Sequence, residues 1–190
     1  MGTELDLVTN RRGSAKDPTG EWDQAHTDRL NEGADLVALI VGDFAAHGNT
    51  TGIAWVNSGL TTAFSVTEWT AFGSMTLAHE MGHNLGCNHN RESTTLRHPY
   101  GHGHYVKWFE NGFPTYQRRY FYTVMSYTSA GDCSFPWACA KQRVAYWSSP
   151  SVTVPTANGS YLAGTIVHDN RRRILENRQK VANFSHRLRG

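Results

Sequence analysis

Two histidines four residues apart, a glycine three residues further on and a third histidine three beyond that constrain this chain more than anything else in it. The stretch reads His79-Glu80-Met81-Gly82-His83-Asn84-Leu85-Gly86-Cys87-Asn88-His89. Residues at i and i+4 of an α-helix project from one face, so the imidazoles of His79 and His83 can reach a single ion at about 2.0–2.1 Å. Glu80 leaves such a helix on an adjacent side, where it can reach a water on the ion without being a ligand. Gly86 tolerates the left-handed backbone on which a helix stops and turns back, and that turn returns His89 as a third ligand. Three neutral nitrogens with one position left open suit a catalytic zinc site, because a structural site closes its fourth position with protein. The first two histidines alone recur by chance in many proteins. The added glycine and third histidine, on a helix predicted to be buried, give the pattern its weight.

The rest of the chain must build a frame around that stretch. Its 190 residues suffice for one domain with a sizeable core, and 39% hydrophobic with 18% charged residues is a globular composition. A net charge of +2 argues against a dedicated nucleic-acid surface. The one dense basic run, Arg171-Arg172-Arg173, reads as the solvated face of a helix. No apolar run is long enough to span a bilayer, and Met1-Gly2-Thr3-Glu4 has neither the basic nor the apolar part of a signal peptide. Cys133 and Cys139 lie six apart in a Gly/Ser/Pro-containing loop, where a small local disulfide would suit an exported protein. Cys87 sits inside the metal stretch off any ligand spacing and reads as a packing residue.

Hydrophobic patterning predicts a helix over 21–32 with Trp22, Ala25 and Leu30 on one side, and a buried strand over 35–41. Two more strands, 52–57 and 62–67, are joined by a Ser58-Gly59 turn. A helix over 72–85 carries apolar residues on nearly every side and should be buried. From Asn88 to about Ala145 the chain is rich in Gly, Pro, Asn and aromatics without a long period, which implies irregular structure. A last helix is expected over roughly 170–186. The fold class is α/β (α+β): a twisted mixed sheet, an active-site helix, and an irregular C-terminal subdomain ending in a helix, all in one domain spanning 1–190.

The extended motif resembles that of the metzincin clan of zinc endopeptidases. Thr123-Val-Met-Ser-Tyr127 is similar to the Met-turn of that clan, which implies Met125 beneath the zinc as a polarizable floor. Other segments resemble the reprolysin-like and bacterial peptidyl-Asp metalloendopeptidase groups. They are Ala34-Asp-Leu-Val-Ala-Leu-Ile-Val41, Phe72-Gly-Ser-Met-Thr-Leu-Ala-His79, Tyr146-Trp-Ser-Ser-Pro150 and Val181-Ala-Asn-Phe184. The resemblance runs from about Glu21 to Phe184. There are three departures. Asn90 stands where reprolysin-like enzymes usually carry aspartate. Tyr127 follows the methionine by two residues, as in astacins and serralysins, which implies a role at the zinc or beside the tetrahedral intermediate. Only 78 residues precede the first zinc ligand, fewer than in such enzymes, so the domain is expected to be cut or built on a reduced upper half.

The function these readings imply is a secreted, monomeric zinc endopeptidase acting on protein or peptide substrates, with no nucleic-acid or membrane partner. A zinc-activated water would attack the peptide bond, with Glu80 as general base. Strand 52–57 is expected to be an edge to which substrate backbone adds, with Trp55 in the core or lining the cleft. The competing reading from another class is a zinc-bound but catalytically silent domain that binds proteins. A zinc hydrolase of non-peptide amides is a third. A second metal at His98, His102 and His104 has no nearby carboxylate or cysteine partner. A calcium ion at Asp43, Asp132 and Asp169 is a further candidate that no Asp-rich loop spacing supports.

Overall fold

A computed structural model of the chain describes residues 20, 22–42, 50–95, 98–112, 115–127 and 139–189. They fall into two compact units, 1–86 together with 175–190, and 87–174.

In the first unit, α1 (Asp23–Glu32) ends at Gly33, whose φ of 68° closes the helix with a left-handed turn. The buried Arg29 side chain gathers the carbonyls around that turn. Its Nε donates to Ala34 O at 3.1 Å, Nη2 to Asp35 O at 2.8 Å and Nη1 to Leu60 O at 3.0 Å. The chain then enters β1 (Val37–Val41). Strands β2 (Gly52–Ala54) and β3 (Phe64–Glu68) complete a mixed sheet of order β1-β3-β2, with β1 parallel and β2 antiparallel to β3. Central β3 is buried on both faces from Phe64 to Thr67, which suits its β-branched and aromatic content. Phe64 and Val66 form a core with Trp22, Ala25, Val37, Leu39, Val41, Ile53 and Trp55 against them. Trp55 is thereby a core residue.

The helix expected over 72–85 is shorter. A 3₁₀ turn covers Trp69–Ser74, Met75 adopts φ 63°, and α2 spans Thr76–Asn84. Gly73 and Ser74 are weak helix formers, and Ser74 Oγ donates to Ala71 O, which favours the tight turn over a continuous helix. Phe72 is left exposed. Helix α2 is buried as expected, but along a polar stripe: Thr76, His79, Glu80, Gly82, His83 and Asn84. Leu77, Ala78, Met81 and Leu85 are only half-buried.

The last carbonyls of α2 need donors from outside the helix. Asn57 N donates to His83 O at 2.8 Å and Ser58 N to Asn84 O at 3.1 Å, both from the turn between β2 and β3. In return Asn84 Nδ2 donates to Trp55 O, Phe64 O and Ser58 Oγ at 2.9–3.0 Å.

The second unit contains β4 (Tyr105–Gly112), β5 (Thr115–Tyr122) and β6 (Cys139–Arg143), with β4 antiparallel and β6 parallel to β5. A hairpin of β7 (Thr153–Thr156) and β8 (Gly159–Leu162) follows. This corrects the expectation of irregular structure from Asn88 to Ala145. Val106, Trp108 and Phe121 do alternate into a core with Val144, Val154, Ala163 and Tyr161. The signal is blurred because Phe109, an outward position, is aromatic and 57% exposed. The stretch before β4 is irregular, as expected.

The C-terminal helix is two: α3 (Asn170–Val181) and α4 (Phe184–Arg189). At the break, Asn183 Nδ2 donates to Gln179 O, an alternative to backbone bonding. Val181 and Phe184, on either side of the break, both bury with Ala63, against Leu36, Leu60 and Leu85. Among the described residues no helix is long and apolar enough to cross a membrane.

Candidate metal centre

The ligand atoms of His79, His83 and His89 all lie within 4.8 Å of one another. The first two project from α2 one turn apart, with ring centroids 4.8 Å apart and planes at 85°. Both are buried and His89 is half-buried. Gly86 makes the bend, with φ 89° and its N–H donating to His83 O at 2.8 Å. Nitrogens bound at about 2.0–2.1 Å around a tetrahedral zinc stand about 3.4 Å apart, so small ring rotations bring all three onto one ion. An all-imidazole set of three suits zinc with one position open. Among the described residues, this is the group of three histidine, cysteine or carboxylate side chains able to hold a metal. Glu80 is 4% exposed on the same helix.

The segment carrying His89 is tied down by backbone bridges and buried polar side chains. Asn88 forms a parallel bridge with His102. Asn88 N donates to Gly101 O at 2.8 Å and Gly103 N to Asn88 O at 2.9 Å. The buried His102 ring has Nδ1 2.9 Å from His89 O and Nε2 2.9 Å from His98 O. Both ring nitrogens thus lie against backbone carbonyls, and no other metal-ligating side chain joins them among the described residues. Behind it, Ser148 Oγ donates to His102 O at 2.6 Å, and Asn170 Nδ2 donates to Gly101 O at 2.7 Å. Asn170 N donates to Ser148 Oγ at 2.9 Å. The signal for Ser148 is its Tyr-Trp-Ser-Ser-Pro context; His102 stands out only as a member of the His98, His102 and His104 cluster, and nothing local marks the Asn170 side chain. Cys87 Sγ lies 3.7 Å from Asn170 O, and burial pushes its thiol far up, as fits a packing residue.

Asn90, one of the departures from the family pattern, is buried and works with both ends of its amide. Oδ1 accepts from Tyr127 N at 2.9 Å, and Nδ2 donates to Glu92 Oε2 at 3.0 Å. An aspartate could do only the first. The Tyr127 ring lies 4.3 Å from that of His89, centroid to centroid, and is 43% exposed. Residues 123–126 form a turn, with Ser126 N donating to Thr123 O at 2.9 Å, and Met125 is fully buried in it. Gly103 lies directly on this turn: a Cβ there would come within 2.6 Å of Met125 C and 2.7 Å of Ser126 N.

Of the acids weighed for calcium, Asp169 accepts from Arg172 N at 3.0 Å at the start of α3, while Asp43 and Asp132 lie outside the described residues. Cys139 is disulfide-bonded; Cys133 lies outside the described residues. His104 and His168 face each other with ring centroids 4.9 Å apart. Burial, then the charge of His168, pushes the His104 imidazole down to about 4, against the pull of Glu92. Burial would raise the Glu92 carboxyl, but the Asn90 hydrogen bond, its own backbone and the two histidines bring it below its ordinary value.

Residues 7–90 match the family of reprolysin-like metallopeptidases, family M12B. The chain is 29% identical over 166 residues to the peptidyl-Asp metalloendopeptidases of Stenotrophomonas maltophilia strains K279a and R551-3, covering 87% of this chain and 35% of each relative. It is 42% identical over 73 residues to the zinc metalloproteinase-disintegrin-like BmMP of Bungarus multicinctus, covering 35% of this chain and 11% of that one. A chain in a solved structure titled "Structure of a chaperone-substrate complex" aligns with a TM-score of 0.54 at 21% identity, over 85% of this chain and 23% of that one, a likeness of fold. The chain thus spans about a third of the length of the peptidyl-Asp relatives it matches. Motif, fold class and relatives point the same way: the chain is similar to reprolysin-like metallopeptidases, and its three-histidine group could hold a metal ion.

Proposed function

We propose that residues 1–190 form a zinc-dependent endopeptidase domain in which His79, His83 and His89 hold the metal and Glu80 is the general base. The observation that carries this is the convergence of the three imidazoles of one continuous segment, with the buried Glu80 carboxylate on the helix between the first two. A zinc ion held there supplies Lewis acidity toward the scissile carbonyl and makes water a usable nucleophile near neutral pH. Glu80 takes the proton that the attacking water gives up and passes it to the leaving amine. The Tyr127 hydroxyl, whose ring lies against His89, is the candidate donor to the oxyanion. Asn90 holds the Tyr127 backbone in place.

The substrate class is protein or peptide, and the disulfide at Cys139 supports a location outside the reducing cytosol. The finer reading is a preference for acidic side chains. Two of the relatives are named for aspartyl bonds. The strand register also places Lys107, Arg118, Lys141 and Arg143 on one face of the β4-β5-β6 sheet. A panel of quenched peptides varied at one position between Asp, Asn and Lys tests it, and equal cleavage of all three would refute it.

The central test measures zinc content and peptide cleavage together. The wild-type chain should cleave in a chelator-sensitive way. Glu80→Ala should keep its zinc and lose cleavage by a factor of about 10²–10⁴. Undiminished cleavage removes Glu80 from the mechanism. Zinc binding without any cleavage in the wild type selects the silent, protein-binding alternative.

A further inference from the structure

Gly52 opens β2, an edge strand of the first sheet, in register with Thr67 of β3. Nothing in its backbone asks for glycine, because its φ is not in the left-handed region. What asks for glycine is the helix beside it. A Cβ built at Gly52 would fall 2.6 Å from Thr76 Cγ2, 2.7 Å from Glu80 Oε1 and 2.8 Å from Glu80 Cγ. Thr76 and Glu80 are i and i+4 on α2, so they form one stripe of that helix lying directly on the strand. Both are buried, with 6% and 4% exposure, and Thr76 is stiff at χ1. The obstruction is therefore not confined to the far end of a mobile side chain. By contrast, a Cβ at Gly42 or Gly73 would meet nothing within 4 Å.

We propose that Gly52 is a positioning residue for Glu80: its missing side chain lets the edge strand lie on the helix with the carboxylate held in the gap. This rests on the reading of Glu80 as general base and deepens it. The base gains a fixed wall on the strand side, and the edge strand, to which substrate backbone would add, gains a fixed distance from the base. A methyl group at Gly52 must displace the carboxylate or lift β2 away from α2. Either change moves proton acceptor and substrate relative to each other while leaving the three imidazoles in place.

Two readouts test this, one of which needs no activity. In the metal-free chain, Gly52→Ala should lower the melting temperature clearly in the wild type and by measurably less in a Glu80→Ala background, where only the Thr76 Cγ2 contact remains. Equal losses in both backgrounds would show that the two side chains do not contend for the same space and would overturn the proposal. In the zinc-loaded chain, Gly52→Ala should lower kcat roughly tenfold or more, with KM within about threefold and zinc content unchanged, as for a displaced catalytic group. Gly73→Ala should match the wild type. Loss of zinc in parallel with activity would mean a merely structural role and would also overturn it. If Gly52→Ala does not fold, Gly52→Ala/Thr76→Ser relieves the Cγ2 contact and takes its place in both arms. A wild-type chain without chelator-sensitive cleavage would count against the endopeptidase reading, while the melting cycle would still decide the contact.

Discussion

The two units bury their interiors by different means. The first is built around apolar packing: Phe64 and Val66 sit under seven partly buried hydrophobic neighbours, with buried polar side chains along one stripe of α2 and at Arg29, Ser58, Ser65, Thr67 and Asn177. The second has its own apolar core, but the segment around His89 is held by buried amides, hydroxyls and an imidazole bonded to backbone: Asn88, Asn90, His102, Ser148 and Asn170. Apolar packing is non-directional and tolerates small shifts, whereas a buried polar network holds one geometry and is costly when a member goes missing. A proposed ligand returned by a loop, as His89 is, needs the second kind of support, because a loop has no helix of its own to orient a side chain.

The contrast can be broken or sharpened by measurement. Phe64→Ala should have the largest effect, about 3–5 kcal/mol of unfolding free energy by denaturant titration, as for a large core truncation. A cost near 1 kcal/mol would mean the first unit is not organised on that residue. Asn170→Ala should cost about 1–3 kcal/mol, because Gly101 O loses a buried partner. It should also weaken zinc binding, read by competition with a chromogenic chelator. Unchanged zinc affinity would separate the network from His89, the proposed ligand it surrounds.

Next in size is a pH effect. The His104 imidazole sits at about 4 in the folded chain against 6.5 for the ordinary side chain, so the unfolded chain binds the proton more readily. Its stabilising contribution is complete above about pH 6.5 and is lost as pH falls toward 4. With solvent still reaching the ring, the loss should be roughly 1–2 kcal/mol. His104→Gln should flatten melting temperature against pH over that window, and an unaltered profile would assign acid sensitivity elsewhere. Smallest of all, Ile166→Ser, at a side chain 82% exposed, should change stability by less than about 0.5 kcal/mol.

The same contrast explains what could be read from residues alone. The metal group was legible because helix periodicity and a glycine bend are local facts, and the convergence of His79, His83 and His89 follows from them. Strands β1 and β3 were legible because they are dense in β-branched and aromatic residues. The sheet β4-β5-β6 was not, since its outward face carries aromatics that hide the alternation. His102 and Asn170 were beyond reach for another reason. Their partners lie 13 and 69 residues away, and a hydrogen bond across such a distance leaves no periodic trace.

Besides Gly86 N, two amides that close the end of α2 come from the turn between β2 and β3, at Asn57 and Ser58. Because of this, the helix cannot fray without the hairpin opening too. Loading the site with zinc therefore ought to slow deuterium uptake at those two amides, although neither belongs to a ligand. A hairpin tip so coupled would report occupancy of the centre from outside it, in exchange spectra recorded without any substrate.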